Sequence, residues 1–151
     1  MIHIRAAVNE DARVISTLLH QLGYQRTVEE ISQYLAALDE DAAILVAVSE
    51  DGQTIGCLHV LIDDRLAEGR RGEISSLVVA AGMRSRGIGE ELVTAAQKWL
   101  QNRGIGSLRV RCNAIRDRAH RFYERLGFQT TKSQKVFDIA TDAPRKRSAS
   151  V

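Results

Sequence analysis

Six consecutive residues, Arg84-Ser85-Arg86-Gly87-Ile88-Gly89, have the types and spacing to bind an anion. The stretch before them, Glu73–Val79, is apolar enough to be a strand. After them, Ile88, Leu92, Ala95, Ala96, Trp99 and Leu100 recur at helical spacing. A helix start leaves N–H groups without partners and carries partial positive charge. Glycines at 87 and 89 remove the Cβ atoms that would hold a pyrophosphate away from those groups. Arg84 and Arg86 add charge at the same place. A phosphate-bearing ligand fits this turn, although glycine also serves ordinary tight turns. Two phosphate motifs are excluded. The dinucleotide fingerprint needs a third small residue where Leu92 stands, and the Gly-Lys-Ser/Thr of a P-loop is missing.

A second cluster follows, Ala119-His120-Arg121-Phe122-Tyr123-Glu124-Arg125-Leu126-Gly127-Phe128. The pattern Arg84-x-x-Gly87-x-Gly89 is similar to the acyl-CoA pyrophosphate motif of the GCN5-related N-acetyltransferase (GNAT) superfamily. Glu73–Val79 resembles the strand that precedes that motif. Phe122-Tyr123 with Gly127-Phe128 resembles the family's second signature, and the element order fits over roughly residues 2 to 139. Arg118-Ala119-His120-Arg121-Phe122-Tyr123 is most similar to the aminoglycoside and aminoalkylphosphonate acetyltransferase group. The chain departs from the family where Ala81 replaces a common Pro and Arg116 a common Asn. The second change touches the pantetheine contact at the start of the last helix, and Asn113 is the alternative donor.

The resemblance implies attack of a primary amine on the thioester of acetyl-CoA by direct transfer in a ternary complex. The amine must be neutral, the carbonyl polarised and the leaving thiolate protonated, with both substrates held together. The donor would lie between two parallel strands that splay apart, Glu73–Val79 and Ser107–Cys112. Leu77, Val78 and Val79 would flank the pantetheine, and the Val79 N–H would polarise the carbonyl. Arg84, Ser85, Arg86, Gly87, Ile88, Gly89 and Glu90 would hold the pyrophosphate. Tyr123 would touch the sulfur as general acid, a role weighed against that of an amphipathic core tyrosine. Glu73, eleven residues before Arg84, would be the general base, weighed against a solvated strand-end carboxylate. His59 is a further base candidate. His120 is weighed as a cleft or a surface histidine. Asp63 and Asp64 are weighed as holders of a cationic amine or as solvated charges. Arg116, Arg118, Arg121 and Arg125 face a 3′-phosphate or solvent. The acceptor is an amine of a small molecule or a peptide, and homodimers are common in the family.

These residues need elements to position them. Ile2 to Val8 alternates as a first strand. Asn9 is placed to cap a helix whose apolar face carries Val14, Leu18, Leu19 and Leu22. Thr27 and Glu30 form a capping-box pattern ahead of a second helix with Val28, Ile31, Tyr34, Leu35 and Leu38. Ala43–Val48 and Thr54–Ile62 pair across Asp51-Gly52. Asp63 to Gly72 is a charged connection of about ten residues, and loops of that length often carry function. Glu73–Val79, the central helix and Ser107–Cys112 make a parallel crossover. A helix over Asp117–Leu126 and a strand pair, Phe128–Lys132 with Val136–Ile139, complete the order. The fold class is α+β. The resemblance implies the acyl-CoA N-acyltransferase fold, a mixed and mostly antiparallel sheet of about six or seven strands with a splayed parallel pair and four flanking helices. Residues 1–140 form the N-acetyltransferase domain, and 141–151 a basic, disordered tail.

Composition removes other classes. With 151 residues and one proline, the chain suits one domain without Pro-rich linkers. A net charge of +2, with 19 acidic residues against 21 basic ones, argues against nucleic acid as partner despite Pro144-Arg145-Lys146-Arg147. The many arginines suit a small polyanion equally well. No apolar run is long enough to span a bilayer, and the N-terminus lacks a signal-peptide core. No Cys/His cluster has metal-ligand spacing. Cys57 and Cys112 fit either a disulfide or two buried thiols in a reducing cytosol, and the latter reading with a cytoplasmic location is taken. A non-catalytic acyl-CoA sensor is the rival function; it predicts binding without turnover.

Overall fold

The burial of one apolar face on each side of a sheet organises this chain. The structure, a computed structural model, describes residues 1–84, 86–112 and 116–144. It divides into two units, Met1–Arg111 and Cys112–Val151. In the first unit β1 (His3–Ala6) leads through a 3₁₀ turn (Asn9–Asp11) to α1 (Ala12–Gln21) and α2 (Val28–Ala36). Then come β2 (Ala42–Val48), β3 (Thr54–Arg65), β4 (Gly69–Val79), α3 (Ile88–Gln101) and β5 (Leu108–Val110). The strands lie in sequence order in one sheet. The first three pairings are antiparallel, and β4 with β5 is parallel.

Side chains alternate across a strand, so directly opposed residues share a face. Register sets Ile44 beside His59, Val46 beside Cys57, Cys57 beside Val78 and His59 beside Ser76. The apolar members of this face pack with Ala12, Ile15 and Leu18 of α1 and Ile31 of α2. On the other face α3 lies close. A Cβ added at Gly72 would meet Leu100 Cδ1 at 2.3 Å, and one at Gly56 would meet Leu92 Cδ1 at 3.1 Å. Gly72 is therefore glycine because α3 occupies the space a side chain would need.

Local chemistry explains the helix starts. Thr27 Oγ1 accepts from the Glu30 N–H at 3.1 Å, and the Thr27 N–H donates to Glu30 Oε1 at 2.9 Å, so the expected capping box forms. Asn9 does not cap α1. It sits inside the 3₁₀ turn and accepts from the Ser32 hydroxyl, while Asp11 accepts the Val8 N–H at 2.7 Å. Val14, expected on the buried face of α1, is 37% exposed, and Ile15 takes that place at 2%.

Two expectations about strands are corrected. The charged segment 63–72 is not a long loop. β3 and β4 run through it as a hairpin, joined by Leu66–Glu68, with Asp63 opposite Arg71 and Asp64 opposite Arg70. Opposite charges facing across a ladder stabilise a strand that hydrophobic periodicity does not register. The second unit holds α4 (Asp117–Arg125) but no strands among its described residues, so the sheet has five strands rather than six or seven. Val136, Phe137 and Ile139 are 66–87% exposed, and polar residues separate them from Phe128. Without a buried face, alternation has nothing to fix it.

Candidate active site

The parallel pair is short. β5 meets β4 only from Gly72 to Ile74, whereas β4 continues to Val79. At the point of departure β4 carries a bulge: Ser76 opposes His59, Ile74 opposes Val60, and Ser75 is left over. Bulges re-aim a strand and interrupt its pairing. From here to Val79 the ladder partner of β4 among the described residues is β3 alone.

The direction of the backbone groups on this edge follows from one bond. The Ala80 N–H donates to the Ile55 carbonyl at 2.8 Å, toward the β3 side. Backbone groups alternate along a strand. Leu77 and Val79 therefore turn their N–H and C=O away from β3, to the edge that β5 leaves open. Both lie in the stretch Leu77–Val79 that the family resemblance implies for the pantetheine.

Arg84 and Arg86 are exposed in the connection that follows. Gly87 is the N-cap of α3 with φ 79°, a left-handed conformation that glycine adopts without strain. It offers no side chain to cap the helix, and the first amide bonded back is that of Glu91, to the Gly87 carbonyl at 3.1 Å. The N–H groups of Ile88, Gly89 and Glu90 have no acceptor within the helix. Buried Ile88 and Leu92 anchor this end of α3 against the sheet beside Gly56. Ser85 and Asn113, and the basic tail from Arg145, lie outside the described residues.

At the β4/β5 junction Glu73 is held on both oxygens. Arg109 Nε donates to Oε1 at 3.3 Å, and Arg111 Nη1 donates to Oε2 at 3.3 Å. Arg109, 11% exposed, also reaches Asp63 and Glu68, and Asp63 takes Arg65 Nε at 2.6 Å. Asp64 pairs with Arg70. The carboxylates weighed for holding an amine are thus engaged with arginines.

A pocket of about 200 Å³ opens between the helices and the sheet on the face of His59. Ile15 and Leu19 of α1, Ile31 and Tyr34 of α2, and Ile44 and Cys57 of the sheet line it, with Arg26, His59 and Ser76. Tyr34 stands edge-on to His59, ring centres 5.5 Å apart, its Oη 3.4 Å from Nε2. Burial pushes the His59 imidazole below its usual 6.5, so it is neutral at pH 7. Burial also pushes the Cys57 thiol up to about 12, with the charge of Asp11 adding to it. Ser76 lines the pocket and directly precedes Leu77 of the open edge. The sequence ranks His59 low and says nothing of Tyr34 beyond its helical spacing; their meeting depends on how α2 crosses β3.

In the second unit, α4 presents Arg116, Arg118, Arg121 and Arg125 as exposed side chains, while His120 is half-buried. Tyr123 packs edge-on against Phe122, at 5.0 Å, and Phe128, at 5.3 Å. Burial pushes its phenol up to about 12, helped by Cys112 and opposed by Arg116. It is therefore protonated throughout the neutral range.

Comparison with known proteins agrees with this geometry. The profile of the acetyltransferase (GNAT) family matches residues 7–128. The chain belongs to the acetyltransferase (GNAT) family. It is accordingly an acetyltransferase, and its mixed five-stranded sheet with one parallel pair is the GNAT fold. An uncharacterized N-acetyltransferase of Bacillus subtilis (strain 168), YhdJ, is 27% identical over 131 residues, covering 85% of this chain and 92% of its own. An aminoglycoside N(6′)-acetyltransferase type 1 of Stenotrophomonas maltophilia is 27% identical over 114 residues, 73% of each chain. Among solved structures, AAC(6′)-Iy in complex with the bisubstrate analogue CoA-S-monomethyl-acetylneamine superposes with a TM-score of 0.83. It is 18% identical and matches over 93% of this chain and 99% of its own.

Proposed function

We propose that this GNAT protein moves the acetyl group of acetyl-CoA to a primary amine of a small molecule by direct transfer in a ternary complex. The observation that carries this reading is the sequence of features on β4 and α3. Leu77 and Val79 turn backbone groups to an unpaired edge, and one connection later the amides of Ile88, Gly89 and Glu90 stand behind Gly87. A donor with an amide-bearing arm and a pyrophosphate matches both. The CoA-derived analogue bound to AAC(6′)-Iy supports the assignment.

When bound, acetyl-CoA supplies an activated acetyl thioester. The chain does the rest. Leu77 and Val79 bond the pantetheine, with Val78 between them, and the Val79 N–H polarises the carbonyl. Arg84, Ser85 and Arg86 join the α3 amides on the pyrophosphate, and Asn113 serves the pantetheine. Tyr123 protonates the departing sulfur. Neither thiol is an activated nucleophile, because burial raises both Cys57 and Cys112. That supports direct transfer over an acyl-cysteine, and two free thiols suit a cytoplasmic protein.

For the base, Glu73 and His59 differ in their surroundings. Each oxygen of Glu73 already accepts from a guanidinium, Arg109 on one and Arg111 on the other. His59 is neutral and lines the pocket. We assign the proton of the attacking amine to His59, and to Glu73 the holding of β4 against β5 where they part. Incubation with acetyl-CoA and a pool of primary amines tests the function, with thiol release followed by colour and acetamide identified by mass spectrometry. Release of thiol with an acetylated product is expected. Binding of acetyl-CoA without turnover would instead favour a sensor.

A further inference from the structure

We infer that the acceptor is a monoamine with a compact apolar body and not a polycationic aminosugar, a conclusion that rests on the acetyltransferase reading and extends it to the substrate. The pocket on the His59 face is walled by Ile15, Leu19, Ile31 and Ile44, and His59 and Ser76, opposed across β3 and β4, lie together in its lining. Ser76 directly precedes Leu77 on the strand assigned to the donor, so the side of His59 and Ser76 is where an amine nitrogen belongs.

Size and charge both select. A volume of about 200 Å³ lies below the roughly 300–1,000 Å³ of pockets that take drug-sized ligands. It suits one ring or a branched alkyl group. A second or third ammonium would need an anion, and no carboxylate lines the pocket among the described residues. Its one formally charged lining residue is Arg26, a cation. Arg26 is itself paired with Glu30 at 3.1 Å, and Asp63, Glu68 and Glu73 are engaged with Arg65, Arg109 and Arg111. An unpaired ammonium against isoleucine and leucine is disfavoured by its desolvation. The curated relative from Stenotrophomonas maltophilia is named for aminoglycosides, so the inference separates this chain from it in specificity.

The experiment compares 2-phenylethylamine and isopentylamine with neamine as acceptors at saturating acetyl-CoA, alongside calorimetric titration of acetyl-CoA. The apolar monoamines are expected to exceed neamine in kcat/KM by about 100-fold or more, the discrimination that unmet polar groups impose. Leu19→Glu, on the half-buried part of the wall, is expected to narrow that ratio at least tenfold while leaving acetyl-CoA affinity unchanged. Acetyl-CoA binding with neamine preferred, or with neither monoamine acetylated, would overturn the inference and leave the donor assignment standing. Loss of acetyl-CoA binding by the wild-type protein would instead remove the acetyltransferase reading beneath it.

Discussion

Burial tunes the proposed acid and the proposed base in opposite directions. Tyr123 is raised to about 12 and holds its proton, whereas His59 is lowered from 6.5 and stays empty. Tyr123→Phe is expected to lower kcat by roughly 10- to 100-fold, with a smaller change in the acetyl-CoA KM. Steady-state kinetics with the donor varied would show it, and a wild-type kcat would remove Tyr123 as the acid. The lowered His59 is a competent base above its own value, so the acidic limb of the kcat profile should fall below pH 6.5. His59→Gln should abolish that limb, and Glu73→Gln should leave it in place. The reverse pattern would return the base role to Glu73. Both carboxylate and imidazole are visible in the sequence as candidates. What separates them is who else touches them, Arg109 and Arg111 on one side and Tyr34 on the other, and such long-range partners have no local signature.

The glycine turn illustrates how elements carry the site. Gly87 lets the chain enter α3 with its amides forward, and Gly72 lets α3 lie against β4. Gly72→Ala should press on buried Leu100 and destabilise the protein by roughly 1–3 kcal/mol, measured as a lower denaturation midpoint. An unchanged midpoint would mean the helix gives way freely. The helices with caps and amphipathic spacing were legible in the sequence, α2 through Thr27 and Glu30 above all. The β3–β4 hairpin was not, because Asp63, Asp64, Arg70 and Arg71 disguise its end as a charged loop. The pair expected at 128–139 failed for the opposite reason. Its few apolar residues imitate a strand but have no face to bury.

At the scale of the first unit, Asp11 ties three elements together. It is 5% exposed and accepts from Arg5, the Val8 N–H and Thr54, which joins β1, the turn into α1 and β3. Burial alone would raise its carboxyl, but these bonds outweigh burial and hold it below 3.8. The stability it contributes is present above 3.8 and is lost as the pH falls through its lower folded value. Asp11→Asn should therefore cost roughly 2–4 kcal/mol at pH 7, with the difference shrinking in acid. Urea melts at both pH values would check it, and a gap that persists in acid would contradict the charge argument. The family was legible from two short signatures; the pocket on the His59 face was not, because its walls come from α1, α2, β2, β3 and β4 at once. In the proposed function the β4 edge and the start of α3 together bind acetyl-CoA. Calorimetric titration of acetyl-CoA into the wild-type protein and Gly89→Trp checks this binding. Binding by the wild type, abolished in a variant that remains folded by circular dichroism, is the expected result; equal affinity in both, or none in the wild type, would contradict it.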